Sequence, residues 1–161
     1  MDAPRPGDDG VNAIEPIGTN AVQPTEFIAE CAVRFSDCDP AGIVFFPNYF
    51  RMLNGVVEDW WAALGTPWTE LVSVRRIGTP TAQLDTEFVQ PSQFGDTLRF
   101  HLSVEKLGRS SLTLRHIVIG DETARMRARQ VLVATSLETH RAIPWPDDVV
   151  RAITRFKERQ Q

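Results

Sequence analysis

The segment Asp37-Cys38-Asp39-Pro40-Ala41-Gly42 carries two carboxylates one residue apart, and a helical pattern opens at Pro47 shortly after it. A helix N-terminus presents unpaired N–H groups and a partial positive charge. A carbonyl bound there is polarised, and a carboxylate beside it can attack the carbon or deprotonate a water. Asp39 with the amides around Phe46 would form a minimal acyl-transfer site that needs neither serine nor metal. The plainer account of the same residues is an Asx turn, in which Asp holds backbone N–H groups, Pro fixes φ and Gly takes an unusual φ. Composition alone leaves both readings open.

Other chemistry finds little support. The chain has no GxSxG nucleophile elbow, no GxxxxGK[ST] phosphate loop and no GxGxxG after a strand. His101, His116 and His140 lack HxxxH or CxxC company, so a metal site is not indicated; His101 and His116 read as structural histidines within strands. Glu58-Asp59 and Glu105 read as solvated faces. Cys31 and Cys38 fit neither a redox motif nor a disulfide scaffold. A formal charge of -4 argues against a general nucleic-acid binder. No run of eighteen apolar residues suggests a membrane span, and the N-terminus lacks a signal-peptide pattern. A reduced cytoplasmic protein is the expectation.

The elements that must position Asp39 follow from periodicity. Residues 1–25 are rich in Pro, Gly and Asp and poor in large apolar groups, which predicts a flexible tail. Residues 26–161 then form one domain, with 42% apolar and 24% charged residues across the whole chain. Phe27–Phe35 reads as a strand. Tyr49, Met52, Leu53, Val56, Val57, Trp60, Trp61 and Leu64 make a continuous apolar stripe on a helix from Pro47 to Leu64, roughly 27 Å long. Gly65 suits a left-handed C-cap, and Pro67 prevents continuation. Pro67–Val72 reads as a short helix or an irregular connection.

Strands are expected at Pro80–Gln90, with Ala82, Leu84, Thr86 and Phe88 on one face, then at Thr97–Leu107, Ser111–Ile119 and Ala124–Thr139. In the second of these Leu98, Phe100, Leu102 and Val104 point in, while Arg99, His101, Ser103 and Glu105 point out. Pro146–Arg159 carries Val149, Val150, Ile153 and Phe156 at helical spacing, a terminal amphipathic helix. Short turns between strands mean antiparallel neighbours, so the fold class is α+β: one antiparallel sheet curled around one long helix. The other sheet face then needs solvation or a partner chain.

The run from Asp37 to Tyr49, with Ile77-Gly78-Thr79-Pro80 at the start of the next strand, resembles the signature of the hotdog-fold 4-hydroxybenzoyl-CoA thioesterase family. The resemblance spans about residues 28–140. It implies a curved antiparallel sheet around one helix, a homodimer or homotetramer with sites at subunit interfaces, and an acyl-CoA substrate with no separate cofactor. Under it Asp39 matches the catalytic carboxylate, and Phe46 the residue whose N–H holds the thioester oxygen. Gly42, Pro47, Tyr49, Gly78 and Thr79 fall at positions that line the same cleft. Arg109, with Ser110 and Ser111, matches the basic turn that meets coenzyme A phosphates; an ordinary exposed hairpin arginine is the alternative.

Arg125, Arg127 and Arg129 could also meet phosphates or form a solvated edge. Asn54 stands where the 4-hydroxybenzoyl enzymes carry an aspartate for the ring hydroxyl, so the charge-assisted acceptor is absent. Pro47, where the short-chain branch has His, tilts the expectation towards aromatic acyl groups. The expected activity is hydrolysis of an aromatic acyl-CoA. The alternatives are a short- or medium-chain aliphatic thioesterase and a non-catalytic acyl-CoA or acyl-carrier-protein binding module. A dehydratase is disfavoured, because residues 36–50 contain no histidine.

Overall fold

A computed structural model describes residues 26–159, so the segment read as a tail lies outside the described residues. The order is β1 (Phe27–Ala32), α1 (Phe46–Ala63), a π-helical turn (Thr69–Val74), β2 (Ile77–Gly78), β3 (Thr81–Phe88), β4 (Thr97–Leu107), β5 (Ser111–Gly120), β6 (Thr123–Val133), β7 (Thr135–Ser136) and α2 (Asp147–Glu158). Five strands form one antiparallel sheet in the order β1-β4-β5-β6-β3, and β2 pairs with β7 in a separate two-stranded sheet. Short links give the neighbours β4-β5-β6; only β1 and β3 reach their partners by longer connections.

α1 packs on β1 and β4 through the stripe that its sequence predicts: Tyr49, Met52, Leu53, Val56, Val57, Trp60 and Trp61 are all buried. Facing it are Leu98, Phe100, Leu102 and Val104 of β4, Leu112, Leu114 and Val118 of β5, and Met126, Ala128 and Leu132 of β6. Each large apolar side chain so buried contributes about 1.5–3 kcal/mol. The helix ends in a Schellman motif. Gly65 takes φ +82° and donates to the Ala62 carbonyl, while Thr66 donates to that of Trp61. α2 closes the end of this core with Val149 and Ile153, beside a run of ring contacts from Phe156 through Trp60 and Trp61 to Trp145.

Some sequence expectations are corrected. The first strand stops at Ala32, because the Asp37 carboxylate captures the Arg34 N–H and Phe35–Asp37 coil into a 3-10 turn. The helix begins one residue early, at Phe46, leaving Pro47 in second position. The last strand is two: Val133 and Ala134 still donate to the flanking Pro80 and Ser110 carbonyls, and from Thr135 the chain leaves both neighbours and pairs with β2. His101 does lie on the outer face, yet Glu26 folds over it with a 2.8 Å contact to Nδ1, and both groups are buried. β3 is an edge strand with a register shift between Thr81 and Gln83, which breaks the alternation expected from Ala82.

Paired charges occupy part of the same outer face, beside Ile28, Ile117 and Val131. Glu87 lies opposite Arg127 and bonds to it at 3.2 Å, Arg129 meets Glu105 at 2.9 Å, and Arg99 meets Glu122 at 2.6 Å. No helix among the described residues is long and apolar enough to cross a membrane.

Candidate active site

Asp39 sits at the head of a tight turn, and its local sequence explains the geometry. Gly42 N–H donates to the Asp39 carbonyl at 2.9 Å, with Pro40 in the position whose fixed φ the turn needs and Gly42 at φ +79°. Asp39 Oδ1 accepts the Ala41 N–H at 2.8 Å. The Asx turn is therefore present, and it has a second consequence. One carboxylate oxygen is tethered by the turn, so the side chain is oriented, while Oδ2 has no hydrogen-bond partner among the described residues. The turn and the oriented carboxylate are the same structure.

The two arms of this turn run antiparallel. Asp39 N–H donates to Ile43, Cys38 bridges to Val44, and Phe45 N–H donates to Asp37. The second arm leads straight into α1. Phe45 is the N-cap, in extended conformation, and Phe46 is the first helical residue. Its N–H belongs to the first-turn donors that have no acceptor within the helix, and no other group among the described residues takes it. Pro47 has no N–H, and Asn48 N–H turns back to the Phe45 carbonyl at 2.8 Å. The Phe46 amide is thus a free donor at the positive end of the helix, as an oxyanion site requires.

Beside it lies a pocket of about 240 Å³ lined by Ile43, Val44, Phe46, Tyr49, Phe88, Val89, Gln90 and Pro91. Its walls are mainly aromatic and aliphatic: Phe88 meets Phe46, Tyr49 and Phe50 with ring centroids 5.7–6.2 Å apart, and Phe46 meets Phe50 at 6.3 Å. Tyr49 contributes its ring only, since its hydroxyl donates to Ser92 Oγ at 2.8 Å in a buried bond. Asn54 is exposed, two turns along α1 from Phe46, on the face that Phe46 and Phe50 share.

One participant escaped the sequence reading. Asp37 is 2% exposed, accepts the Arg34 N–H at 2.8 Å through Oδ2 and pairs with Arg51 through Oδ1. Its carbonyl accepts both the Phe45 N–H at 2.9 Å and Asn48 Nδ2 at 2.8 Å. The available signal was the repeat of Asp two residues apart, which drew attention to the turn but not to the buried member. Close by, burial and then the Asp59 charge push the Cys31 thiol up, which leaves it a poor nucleophile.

Other sequence candidates stand apart from this pocket. Gly78 is buried in the β2–β7 sheet, where a Cβ would come within 2.8 Å of Leu137 Cδ2, and Thr79 Oγ1 accepts the Trp68 indole N–H at 3.0 Å. Arg109, Ser110 and Ser111 form the β4–β5 turn, with Arg109 exposed and its carbonyl accepting the Trp145 N–H. The Asp39 loop instead packs on residues 92–96, just before β4. The two regions lie at opposite ends of β4, roughly 30 Å apart along the strand. One chain alone does not bring Arg109 to Asp39. Arg125, Arg127 and Arg129 have acidic partners in Asp121, Glu87 and Glu105.

Comparison with known proteins bears directly on this arrangement. The Thioesterase-like superfamily matches the chain over residues 33–153. The 4-hydroxybenzoyl-CoA thioesterase of Pseudomonas sp. (strain CBS-3) is 35% identical over 127 residues, covering 73% of this chain and 90% of that protein. The 1,4-dihydroxy-2-naphthoyl-CoA hydrolase of Thermosynechococcus vestitus is 28% identical over 116 residues, 71% of this chain and 80% of that protein. An aspartate-to-asparagine variant of 4-hydroxybenzoyl-CoA thioesterase, crystallised with 4-hydroxybenzoyl-CoA, superposes with a TM-score of 0.75 at 29% identity, over 80% of this chain and 99% of that one. On this extent of sequence and fold, the chain belongs to the Thioesterase-like superfamily and is a hotdog-fold thioester hydrolase.

Proposed function

We propose that the protein hydrolyses an aromatic acyl-coenzyme A to the free acid and coenzyme A, with Asp39 as the reacting carboxylate and the Phe46 N–H as the oxyanion donor. The observation that carries the proposal is the pairing of an oriented carboxylate, held by the Ala41 N–H, with a free helix-terminal amide across one short hairpin. The thioester oxygen sits on the Phe46 N–H, which stabilises the negative charge as the carbonyl carbon becomes tetrahedral. Asp39 Oδ2 either takes a proton from the attacking water or attacks the carbon itself. On the first route the C–S bond breaks and the thiolate leaves, taking up the proton that Asp39 removed. On the second, a mixed anhydride forms with loss of the thiol, and water then cleaves it and regenerates the carboxylate.

Aromatic substrates are favoured by the pocket walls of Phe46, Tyr49 and Phe88, and by relatives that act on hydroxybenzoyl and dihydroxynaphthoyl thioesters. The pocket lining offers no carboxylate to a ring hydroxyl, and Asn54, a neutral amide, lies outside it. The coenzyme A portion would reach the Arg109 turn of a second copy, because that turn lies at the far end of β4 within one chain. On this reading the functional unit is a homodimer or larger, and coenzyme A enters only as part of the substrate.

The test is thiol release from benzoyl-, hydroxybenzoyl-, phenylacetyl-, acetyl- and longer acyl-CoA thioesters by the native chain and by Asp39→Asn. Cleavage of an aryl-CoA that falls at least about 100-fold in the variant supports the proposal. Cleavage that the variant retains removes Asp39 from the mechanism, and tight binding without cleavage turns the reading to a binding module. A single turnover in heavy-oxygen water separates the two routes, since label in Asp39 marks attack by the carboxylate.

A further inference from the structure

We infer that Asp37 is a positioning residue for thioester cleavage, acting through Asp39 and the Phe46 amide without touching substrate. The inference rests on the roles given to those two groups above. Asp39 lies on one arm of a hairpin, residues 37–39, the Phe46 amide directly follows the other, residues 43–45, and the Asp39–Gly42 turn closes one end of it. Asp37 closes the other. Its carbonyl receives the Phe45 N–H, immediately before the oxyanion residue, and Asn48 Nδ2, from the first turn of α1. Its carboxylate is fixed at the base of the loop by the Arg34 N–H and to α1 by Arg51. Four bonds to three separate segments converge on one residue, two positions from the reacting carboxylate.

The asymmetry of exposure suits this task. Asp37 is 2% exposed, whereas the Arg51 side chain is 65% exposed. The guanidinium keeps most of its hydration while it compensates a carboxylate that has lost its own. Without that charge the buried carboxylate has only the Arg34 N–H, and the lowest-energy response is to move the loop towards water. Asp39 moves with it. A displacement near 1 Å at a reacting group lowers the rate on the order of 100-fold, while substrate affinity, set by the pocket walls, barely changes.

The experiment compares kcat, KM and thermal midpoint for the native full chain, Asp37→Asn, Arg51→Met, Arg51→Lys and the Asp37→Asn/Arg51→Met double variant. Asp37→Asn keeps an acceptor for the Arg34 N–H and removes the charge that holds Arg51. Its kcat is expected to fall about 10- to 100-fold with KM within about twofold. Arg51→Met should follow in the same direction, Arg51→Lys should recover most of the rate, and the double variant should be no worse than Asp37→Asn alone. The inference is overturned if kcat stays at the native value, if KM carries the loss, or if activity follows only the folded fraction. Amide hydrogen exchange keeps the question separate from the functional reading. If the native chain cleaves no thioester, the functional reading fails and the catalytic part of the inference with it, and exchange then tests whether the Asp37 carboxylate holds the hairpin in place. Faster exchange at Phe45 in Asp37→Asn, with Leu114 unchanged, supports it; unchanged exchange at Phe45 refutes it.

Discussion

Tyr49 Oη donates to Ser92 Oγ at 2.8 Å, and this buried bond joins the first turns of α1 to the loop that precedes β4. The same loop receives the Val44 N–H on its Ser92 carbonyl, so helix start, Asp39–Gly42 turn and β4 are tied at one point. Tyr49→Phe strands the Ser92 hydroxyl, which is 0% exposed. The expected loss is about 1–3 kcal/mol, read as a lower urea midpoint, with part of it restored by adding Ser92→Ala, which removes the orphaned group.

Phe46 offers a test that separates backbone from side chain. Phe45 has φ -64° and ψ 123°, the conformation that a residue before proline adopts, and proline is well accepted at a helix's first position. Phe46→Pro should therefore fold with α1 intact while lacking the amide. Its kcat is expected to drop about 100- to 1000-fold, whereas Phe46→Leu, which keeps the N–H, loses far less. Circular dichroism confirms the helix in each variant before kinetics are compared. Equal rates in the two would remove the amide from the mechanism.

His116 sets an acid limit on stability. It is buried in the core, with Nε2 3.0 Å from Gln130 Oε1, and burial pushes its pKa down to about 4, against the opposing effect of the Gln130 bond. The folded value lies below the ordinary 6.5, so as pH falls the unfolded chain takes up the proton first. Stability attributable to this group is complete above pH 6.5 and drains away down to pH 4, by roughly 3 kcal/mol in total. Thermal midpoints measured across that range should decline in the native chain and decline less steeply in His116→Leu.

Arg75 makes a two-pronged contact with Asp148, at 3.0 and 2.5 Å, and a third with Glu70 at 3.0 Å. It links the π-helical turn to the start of α2. The hydrogen bond from Arg75 is the main cause that holds the Asp148 carboxyl below its ordinary value. That contribution is present above the unfolded carboxylate range and is lost as pH falls through the folded value. Both partners are partly solvated, so Arg75→Met should cost no more than about 1 kcal/mol in denaturant unfolding at pH 7. A larger loss would mean that α2 depends on this link rather than on the burial of Val149 and Ile153.

Much of this protein is written in short-range pattern. The α1 stripe, the Gly65 cap, the Asp39–Gly42 turn and the alternation along β4 each depend on residues within a few positions of one another, where periodicity and turn chemistry act directly. The proposed site, Asp39 and the helix-terminal amide, was legible for the same reason, since the two lie within one short stretch of chain. What the tertiary structure decided involves partners far apart in sequence. Asp37 is buried because Arg51, from the second turn of α1, reaches back to neutralise it. His101 is enclosed because Glu26 folds over the outer face. The last strand divides after Val133 because Thr135 and Ser136 pair with Gly78 and Ile77 of β2 rather than with β3 or β5. Arg109 is separated from Asp39 by the length of β4, since antiparallel strands place successive turns at opposite ends of a sheet. A residue's spacing fixes the face it presents, but its charge, burial and distance from the site depend on whichever segment the fold brings against it.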